Sequence, residues 1–514
     1  MSFFDSNGDG YGDLKGIILK LDYLVDLGID AIWLSPIYES PFQDFGYDIS
    51  NYQAIDPRLG NMDDFLQLLT EAHERNIRVI LDLVMNHTSE QHSWFIESSA
   101  SHDNPKRDWY LWHPGENKSV PNNWKSAVGG SAWKLNSETG HFYYHSFFSF
   151  QPDLNWRNKD MQKEFLEQVR FWLDLGVDGF RLDVINMVVK DKKLRNSPLF
   201  SGFPFIQSKT YTRNRPKSYK IVRKLRKLVD KYNDRMLVGE IYTLPPGDPF
   251  ISASYIGRKN KLLHLSFDFS IFFRPWSAKQ YLKCISSWYW NLSTTGWPSI
   301  VFSNHDLNRY INRGSFTLFP DKKARLIAVM LLTLRGTPFL YYGDEIGMRN
   351  TKIPRRELID PIGRKYWPFY VGRDRSRTPM QWNTEKYAGF SDNRPWLRIN
   401  KDYIMRNVKL QTNEQDSLLN YYRRLIDLRK GNQALQFGEW MPLFHETRDV
   451  MAYMRIFEDT RFLIILNFSF LSKMIRLEEN QKLTRIHSSH DSRPYIFEGS
   501  VISLLPFEAC IYSL

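Results

Sequence analysis

The chain is poor in cysteine: only Cys284 and Cys510 occur in 514 residues. A disulfide scaffold is therefore excluded, and a reducing, cytoplasmic setting is expected. No run of about 18 apolar residues occurs, so neither a membrane-spanning helix nor a membrane partner is expected. Acidic and glycine residues follow Met1 at once, unlike a secretory signal. Zinc-type spacing of Cys and His is missing, as are a glycine-rich phosphate loop, a dinucleotide fingerprint and a GxSxG elbow. No organic cofactor is expected. There is no solenoid repeat and no low-complexity tract.

Apolar residues make up 42% of the chain, enough for a large core, and aromatic residues make up 15%, an unusually high share. The net charge is +12. It is unevenly spread, because no acid lies between Asp191 and Asp230. Lys209, Arg213, Arg215, Lys217, Lys220, Arg223, Lys224, Arg226 and Lys227 fall in that interval. No nucleic-acid module accompanies the run, so it reads as a solvated helix face and no nucleic-acid partner is expected.

The dominant rhythm is apolar strand, polar loop, amphipathic helix. Buried strands are expected at 31–36, 78–84, 179–184, 236–241, 262–267, 299–304 and 338–343. Helices are expected at 62–75, 161–175 and 219–232. Continuous apolar strands alternating with helices indicate a parallel sheet covered on both faces, and seven of them favour a barrel. Two regions break the rhythm. Residues 88–156 read as a small inserted domain, leaving 1–87 and 157–431 for the barrel. Residues 432–514 alternate as antiparallel strands.

In a parallel barrel the chemistry sits at the C-terminal strand ends. Here those ends carry Asp82 and His87, then Arg181 and Asp183, then Glu240, then His305 and Asp306. A buried carboxylate is costly unless paired or used. Four acidic strand ends on one rim therefore point to an active site. Carboxylates among many aromatic rings suit glycoside cleavage, which needs one ionised and one protonated carboxyl flanking the bond.

DLVMNH (82–87), QPDLN (151–155), GFRLDVIN (179–186), EIY (240–242) and FSNHD (302–306) follow in that order. With these motifs the chain resembles the α-amylase superfamily, glycoside hydrolase family 13, in its α-glucosidase and oligo-1,6-glucosidase branch. DSNGDGYGDL, LSPIY, GYDI, YYGDEIGM and RTPMQW extend the resemblance over essentially the whole chain. It implies a (β/α)8 TIM barrel, an inserted domain after the third strand and a C-terminal antiparallel β-sandwich. It also implies a retaining, exo-acting α-glucosidase of short α-glucosides, with a small oligosaccharide as substrate. Asp183 would be the nucleophile, Glu240 the acid and base, and Asp306 the transition-state stabiliser. Arg181, His87 and His305 would hold that site. Asp44 and Tyr47, with Arg377 as partner of Asp44, would cap the terminal sugar. Val184 follows the nucleophile, where the 1,6-acting members carry Val and many 1,4-acting relatives carry Thr or Ala, so an α-1,6 preference is expected.

Asp5, Asn7, Asp9 and Asp13 alternate in a glycine-rich loop, a donor set that suits a hard cation. The resemblance implies structural Ca²⁺ or Mg²⁺ there, with Tyr11 giving its backbone carbonyl. It also implies a strand ahead of this loop. Only Met1 to Phe4 precede it, so the first barrel strand is expected to be missing. The rival readings are a glucosyl-transferring or isomerising relative, of the trehalose synthase or sucrose isomerase type, and an inactive truncated copy. A non-catalytic relative, as among amino-acid transporter heavy chains, is disfavoured by the retained acids.

Overall fold

The computed structural model describes residues 1–115, 119–200, 203–243, 246–313, 318–443, 448–490 and 495–514. Seven parallel strands form the heart of the molecule. β1 (Ala31–Leu34), β2 (Arg78–Val84), β3 (Gly179–Asp183), β4 (Met236–Gly239) and β5 (Leu265–Ser266) pair in chain order. β6 (Ser299–Val301) and β7 (Thr337–Phe339) pair as a second parallel unit, and Ser299 Oγ reaches the Ser266 carbonyl at 2.7 Å. Register is regular: Ile80 faces Gly179, and Leu182 faces Gly239.

Helices cover the strands because their apolar residues recur on one face. Met62–Glu74 opens on a reciprocal capping box between Asn61 and Asp64 and buries Phe65, Leu68, Leu69 and Ala72. Pro216–Val229 starts three residues earlier than its apolar period indicates, because Pro216 sits in the first turn, where its missing N–H costs nothing. Two large apolar clusters result, one around β1 to β4 and one joining the later helices to the C-terminal strands.

Within 88–156 a three-stranded antiparallel sheet forms from Trp112–His113, Trp133–Leu135 and Phe142–Tyr144. Trp124, Trp133 and Tyr144 pack together beside it. The C-terminal strands form one hydrogen-bonded sheet of six rather than two separate sheets. Its long strand Lys473–Ser488 pairs along one edge with Tyr495–Leu504, with a register shift between Arg476 and Gln481, and along the other with Ala509–Ser513. One face buries Met451, Tyr453, Ile464 and Leu466 against the barrel helices, and the other encloses a core of its own.

The barrel wall is not continuous. Among the described residues, nothing pairs with the outer edge of β1 or with the far edge of β7. A cavity of about 550 Å³ runs between them, lined by Met1, Phe3, Trp33, Leu340, Tyr342 and Glu345 among others. Residues 31–36 read as a buried strand in the sequence, yet Ala31 is exposed and Ile32 and Trp33 are only partly covered. A strand edge without a neighbour leaves its side chains open to that cavity.

Candidate active site

The strand-end residues converge as their sequence positions indicate. Arg181 and Asp183 are two apart on β3, so they lie on one face of the strand. Arg181 is 2% exposed and sits at the centre of the site. Its Nη1 donates to Asp82 at 2.9 and 3.0 Å and to Asp183 Oδ1 at 2.9 Å, and its Nη2 donates to Glu240 Oε2. One guanidinium thus joins carboxylates from three neighbouring strands. A buried cation among several buried acids stays charged, and these acids raise its pKa despite desolvation.

The two central carboxyls differ in proton affinity. Burial pushes Asp183 up to about 7 and Glu240 up to about 8, against the pull of Arg181 on both. Of the pair, Glu240 holds its proton to the higher pH. Val184 carries a left-handed backbone (φ 34°, ψ 42°), a strained conformation for a β-branched residue. That turn directs the Val184 N–H to the Glu240 carboxylate. The strain therefore sits between nucleophile candidate and acid candidate.

Across the site, Asp306 accepts from Arg377 Nη2 at 2.9 Å, while Arg377 Nε donates to the His305 carbonyl at 2.6 Å. Desolvation opposes ionisation of Asp306. Arg377 and Arg373, with Arg181, outweigh it and hold this carboxyl well below the usual range. Burial lowers His305 to about 3, so its ring is neutral. Its Nε2 meets the Tyr47 hydroxyl at 2.8 Å, and the two rings stack 8° from parallel. Tyr47 also donates to Asp82 Oδ2 at 2.9 Å. His87 Nδ1 meets Asn86 Nδ2 at 3.2 Å and its Nε2 meets the Tyr47 carbonyl at 3.1 Å, an arrangement that puts the ring proton on Nε2.

One expected pairing is corrected. Asp44 does not meet Arg377. Its partner is Arg373, whose Nη2 lies 2.6 Å from Asp44 Oδ1 and 2.9 Å from Asp360 Oδ1, with Nη1 3.6 Å from Asp306. Arg377 is taken up by Asp306 and His305. The two arginines are four residues apart in an irregular loop, where no periodicity tells which one reaches Asp44. Asp360 was not singled out at all, although it also caps the helix Pro361–Tyr366. Gln151, from QPDLN, donates to Asp44 Oδ2 at 3.0 Å. In the same motif Asp153 pairs with the buried Lys190 and accepts from Asn86 at 2.9 Å, fixing the inserted domain to the end of β2.

The loop of Asp5, Asn7, Asp9, Tyr11 and Asp13 lies apart from these groups. Asp5 accepts from the backbone of Gly8 (2.8 Å) and Gly10 (2.7 Å) and from Ser391. Asp13 caps the helix Leu14–Ile18 through Gly16 N at 2.6 Å. Asn7 Oδ1 accepts from Asp9 N at 2.9 Å, and Asp9 Oδ1 accepts from Tyr11 N at 2.7 Å. Among the described residues, no group of three or more His, Cys, Asp or Glu is placed to hold a metal ion.

A seven-stranded parallel barrel wall with acids at its strand ends and a C-terminal antiparallel sheet defines the class, and the chain belongs to the α-amylase family. The family's catalytic-domain model, described as alpha amylase, catalytic domain, matches residues 1–438. The chain is 37% identical to an oligo-1,6-glucosidase of Parageobacillus thermoglucosidasius over 546 residues, which spans all of this chain and 96% of that protein. It is 36% identical to a glucan 1,6-alpha-glucosidase of Streptococcus pneumoniae over 529 residues, covering 95% of this chain and 93% of the other. Among solved structures it is similar to an alpha-glucosyl transfer enzyme, with TM-score 0.93, 35% identity, and all of this chain and 97% of that one covered. It is also similar to an isomaltulose synthase from Klebsiella, with TM-score 0.92, 34% identity and the same coverage.

Proposed function

We propose that the protein is a retaining exo-α-glucosidase that releases the non-reducing terminal glucose of short α-glucosides, with preference for α-1,6 links. The observation that carries this is the single Arg181 guanidinium bonded to both Asp183 and Glu240. It holds two carboxyls of different proton affinity on the same side of the barrel mouth. Retaining catalysis asks for such a pair at about 5–5.5 Å. In the first step Asp183 Oδ attacks the anomeric carbon, the glycosidic C–O bond breaks, and Glu240 gives its proton to the leaving oxygen. In the second, Glu240 takes a proton from water, the water oxygen bonds to the anomeric carbon, and the Asp183 carboxylate is released. Asp306, held ionised by its arginines, accepts from sugar hydroxyls and steadies the positive ring. Tyr47, His87 and His305 complete the wall around that sugar.

The Asp44–Arg373 pair supports exo action, because a charged pair at the pocket end meets the terminal hydroxyls and leaves no room for further sugar. The relatives named for α-1,6 hydrolysis support the bond preference, as does Val184. Glucose release from p-nitrophenyl α-glucoside tests the activity. A panel of isomaltose, maltose, sucrose and trehalose tests the preference. The likeness to glucosyl-transfer and isomaltulose-forming enzymes favours one second reading, glucosyl transfer on the same site. Sucrose turned into an isomer, without free glucose and fructose, would establish it.

The alternating oxygens of Asp5, Asn7 and Asp9 support a divalent cation in that loop, remote from the chemistry and serving stability alone. The unpaired edges of β1 and β7 support a barrel that takes one further extended strand between them. Glu345 Oε2 and Trp33 Nε1, both bordering the cavity, have no hydrogen-bond partner among the described residues.

A further inference from the structure

A further cavity, of about 450 Å³, is lined by none of the residues placed at the barrel mouth. Three pieces of chain enclose it: the hairpin of Tyr38–Glu39 and Asn51–Ile55, the helix Ser93–Ala100 with its cap His92, and the helix Lys159–Asp174. Its floor is aromatic. Tyr52, His92 and Trp94 are all buried there, and the His92 ring lies 4.5 Å from Trp94 and 5.6 Å from Tyr52, centre to centre. The volume is that of a small-molecule site, which runs to roughly 300–1,000 Å³.

The polar atoms of this floor are unspent. His92 is 4% exposed, and its Nδ1 accepts from Trp94 N at 3.1 Å, which puts the ring proton on Nε2. Burial, with Lys106 adding to it, lowers His92 to about 3, so the ring is neutral. Neither His92 Nε2 nor Trp94 Nε1 has a hydrogen-bond partner among the described residues, and both keep contact with solvent. Two carboxylates stand around them. Glu39 is exposed, and Glu164 Oε1 accepts from Gln168 Nε2 at 2.9 Å. Neither acid makes an ion pair among the described residues, and no Lys or Arg lines the cavity. Carboxylates without a cation turn away an anion. Two N–H donors at the floor turn away a metal ion or an ammonium. Ring faces beside both donors and acceptors suit a neutral molecule with apolar C–H faces and hydroxyls that give and accept hydrogen bonds.

We propose that this cavity is a second carbohydrate site, separate from the catalytic pocket, which takes one neutral pyranose ring. His92 and Trp94 donate to its hydroxyls, Glu39 and Glu164 accept from others, and the aromatic floor meets its C–H face. Tyr52 marks the border between the two sites. Its hydroxyl donates to the Val84 carbonyl at 2.8 Å and to the His87 carbonyl at 3.2 Å, so the cavity lies against the backbone that carries His87. The site requires none of the residues assigned to glycoside cleavage.

The test titrates glucose into the full chain by calorimetry, with saturating 1-deoxynojirimycin present to fill the catalytic pocket. The expected result is one glucose bound per chain. Trp94→Phe keeps a ring and loses the N–H, and His92→Asn keeps an acceptor for the helix cap and loses the Nε2 proton. Each should weaken glucose binding at least about tenfold, as should the double variant Glu39→Ala/Glu164→Ala. An unchanged melting temperature in the double variant checks that it folds, and its kcat on p-nitrophenyl α-glucoside should stay that of the wild type. No glucose bound beside the inhibitor overturns the proposal, and so does glucose binding that survives all three variants. Tetramethylammonium bound in place of glucose overturns it too, since the cavity would then serve an organic cation. If 1-deoxynojirimycin itself does not bind, the glucosidase reading has failed. The glucose titration and the same variants then decide the second site by themselves.

Discussion

At the scale of single residues, the decisive quantity is which carboxyl holds a proton. On the proposed mechanism Asp183 must be ionised to attack and Glu240 protonated to help the leaving group depart. With the two near 7 and 8 respectively, kcat/KM should rise as pH climbs through about 7 and fall as it passes about 8. Glu240→Gln should remove the alkaline limb and lower turnover of isomaltose by about 10²–10⁴. Asp183→Asn should lose on the order of 10³ or more, since no nucleophile remains. A pH profile with a single limb in the wild type would show that the pair does not divide the roles this way. Val184 offers a second test. Its side chain stands next to the nucleophile and has no hydroxyl to offer a leaving sugar. An α-1,6 link has an extra methylene and can swing past a branched apolar group, whereas an α-1,4 link holds its rings closer. The wild type should therefore prefer isomaltose to maltose. Val184→Thr keeps the branching and the backbone strain, changes essentially only the hydroxyl, and should move the ratio towards maltose by about 1–3 kcal/mol. An unmoved ratio assigns the preference to the loops around the pocket.

At the scale of elements, what the sequence makes legible follows covalent closeness. Arg181 and Asp183 share a strand, and an acid at the end of an apolar run marks a barrel mouth, so the catalytic group could be assembled from pattern alone. The end wall could not. Asp44, Asp360 and Arg373 come from three loops, and only folding decides that Arg373 reaches Asp44 while Arg377 reaches Asp306. Arg373→Ala should raise KM for isomaltose far more than it changes kcat, because it leaves Asp44 and Asp360 buried without their shared cation. Equal damage from Arg373→Ala and Arg377→Ala would mean that the pocket end has no single clamp. The single C-terminal sheet was likewise illegible, since alternation does not say which strands pair along the two edges of Lys473–Ser488. The loop at Asp5–Asp13 makes a separate prediction. Asp13→Ala removes a helix cap and should cost about 0.5–2 kcal/mol with or without metal. A bound cation would add a chelator-sensitive part: in protein shown to be metal-loaded, EDTA should lower the melting temperature and leave activity in proportion to folded protein. An unchanged melting temperature leaves the loop as a set of backbone turns.

At the scale of the whole molecule, the outer edges of β1 and β7 are unpaired among the described residues. Closed barrels owe their stability to having no edges, since each exposed strand edge presents unpaired N–H and C=O groups. Here two edges face a cavity of about 550 Å³. The cavity also borders the Glu345 carboxyl, which accepts from Tyr23 at 2.7 Å on one oxygen and is pushed up to about 7 by burial. The Met1 amino group lies buried beside it and is pushed down to about 6 by that burial. Joining an apolar extended segment of about five residues to Met1, long enough for one strand, should fill the seam between β1 and β7. It should also pair both edges and cover Ile32 and Trp33. The expected outcome is a higher melting temperature and soluble yield than the chain without it, and a higher activity per mole. A scrambled polar segment of equal length serves as the control, because it converts the amino group to an amide without filling the seam. The extended chain should gain most in amide protection along Ala31–Leu34 and Thr337–Phe339, which hydrogen exchange reads directly. If both segments act alike, the gain comes from the amino group. If neither changes stability, the barrel is already closed in solution by repacking of β1 against β7.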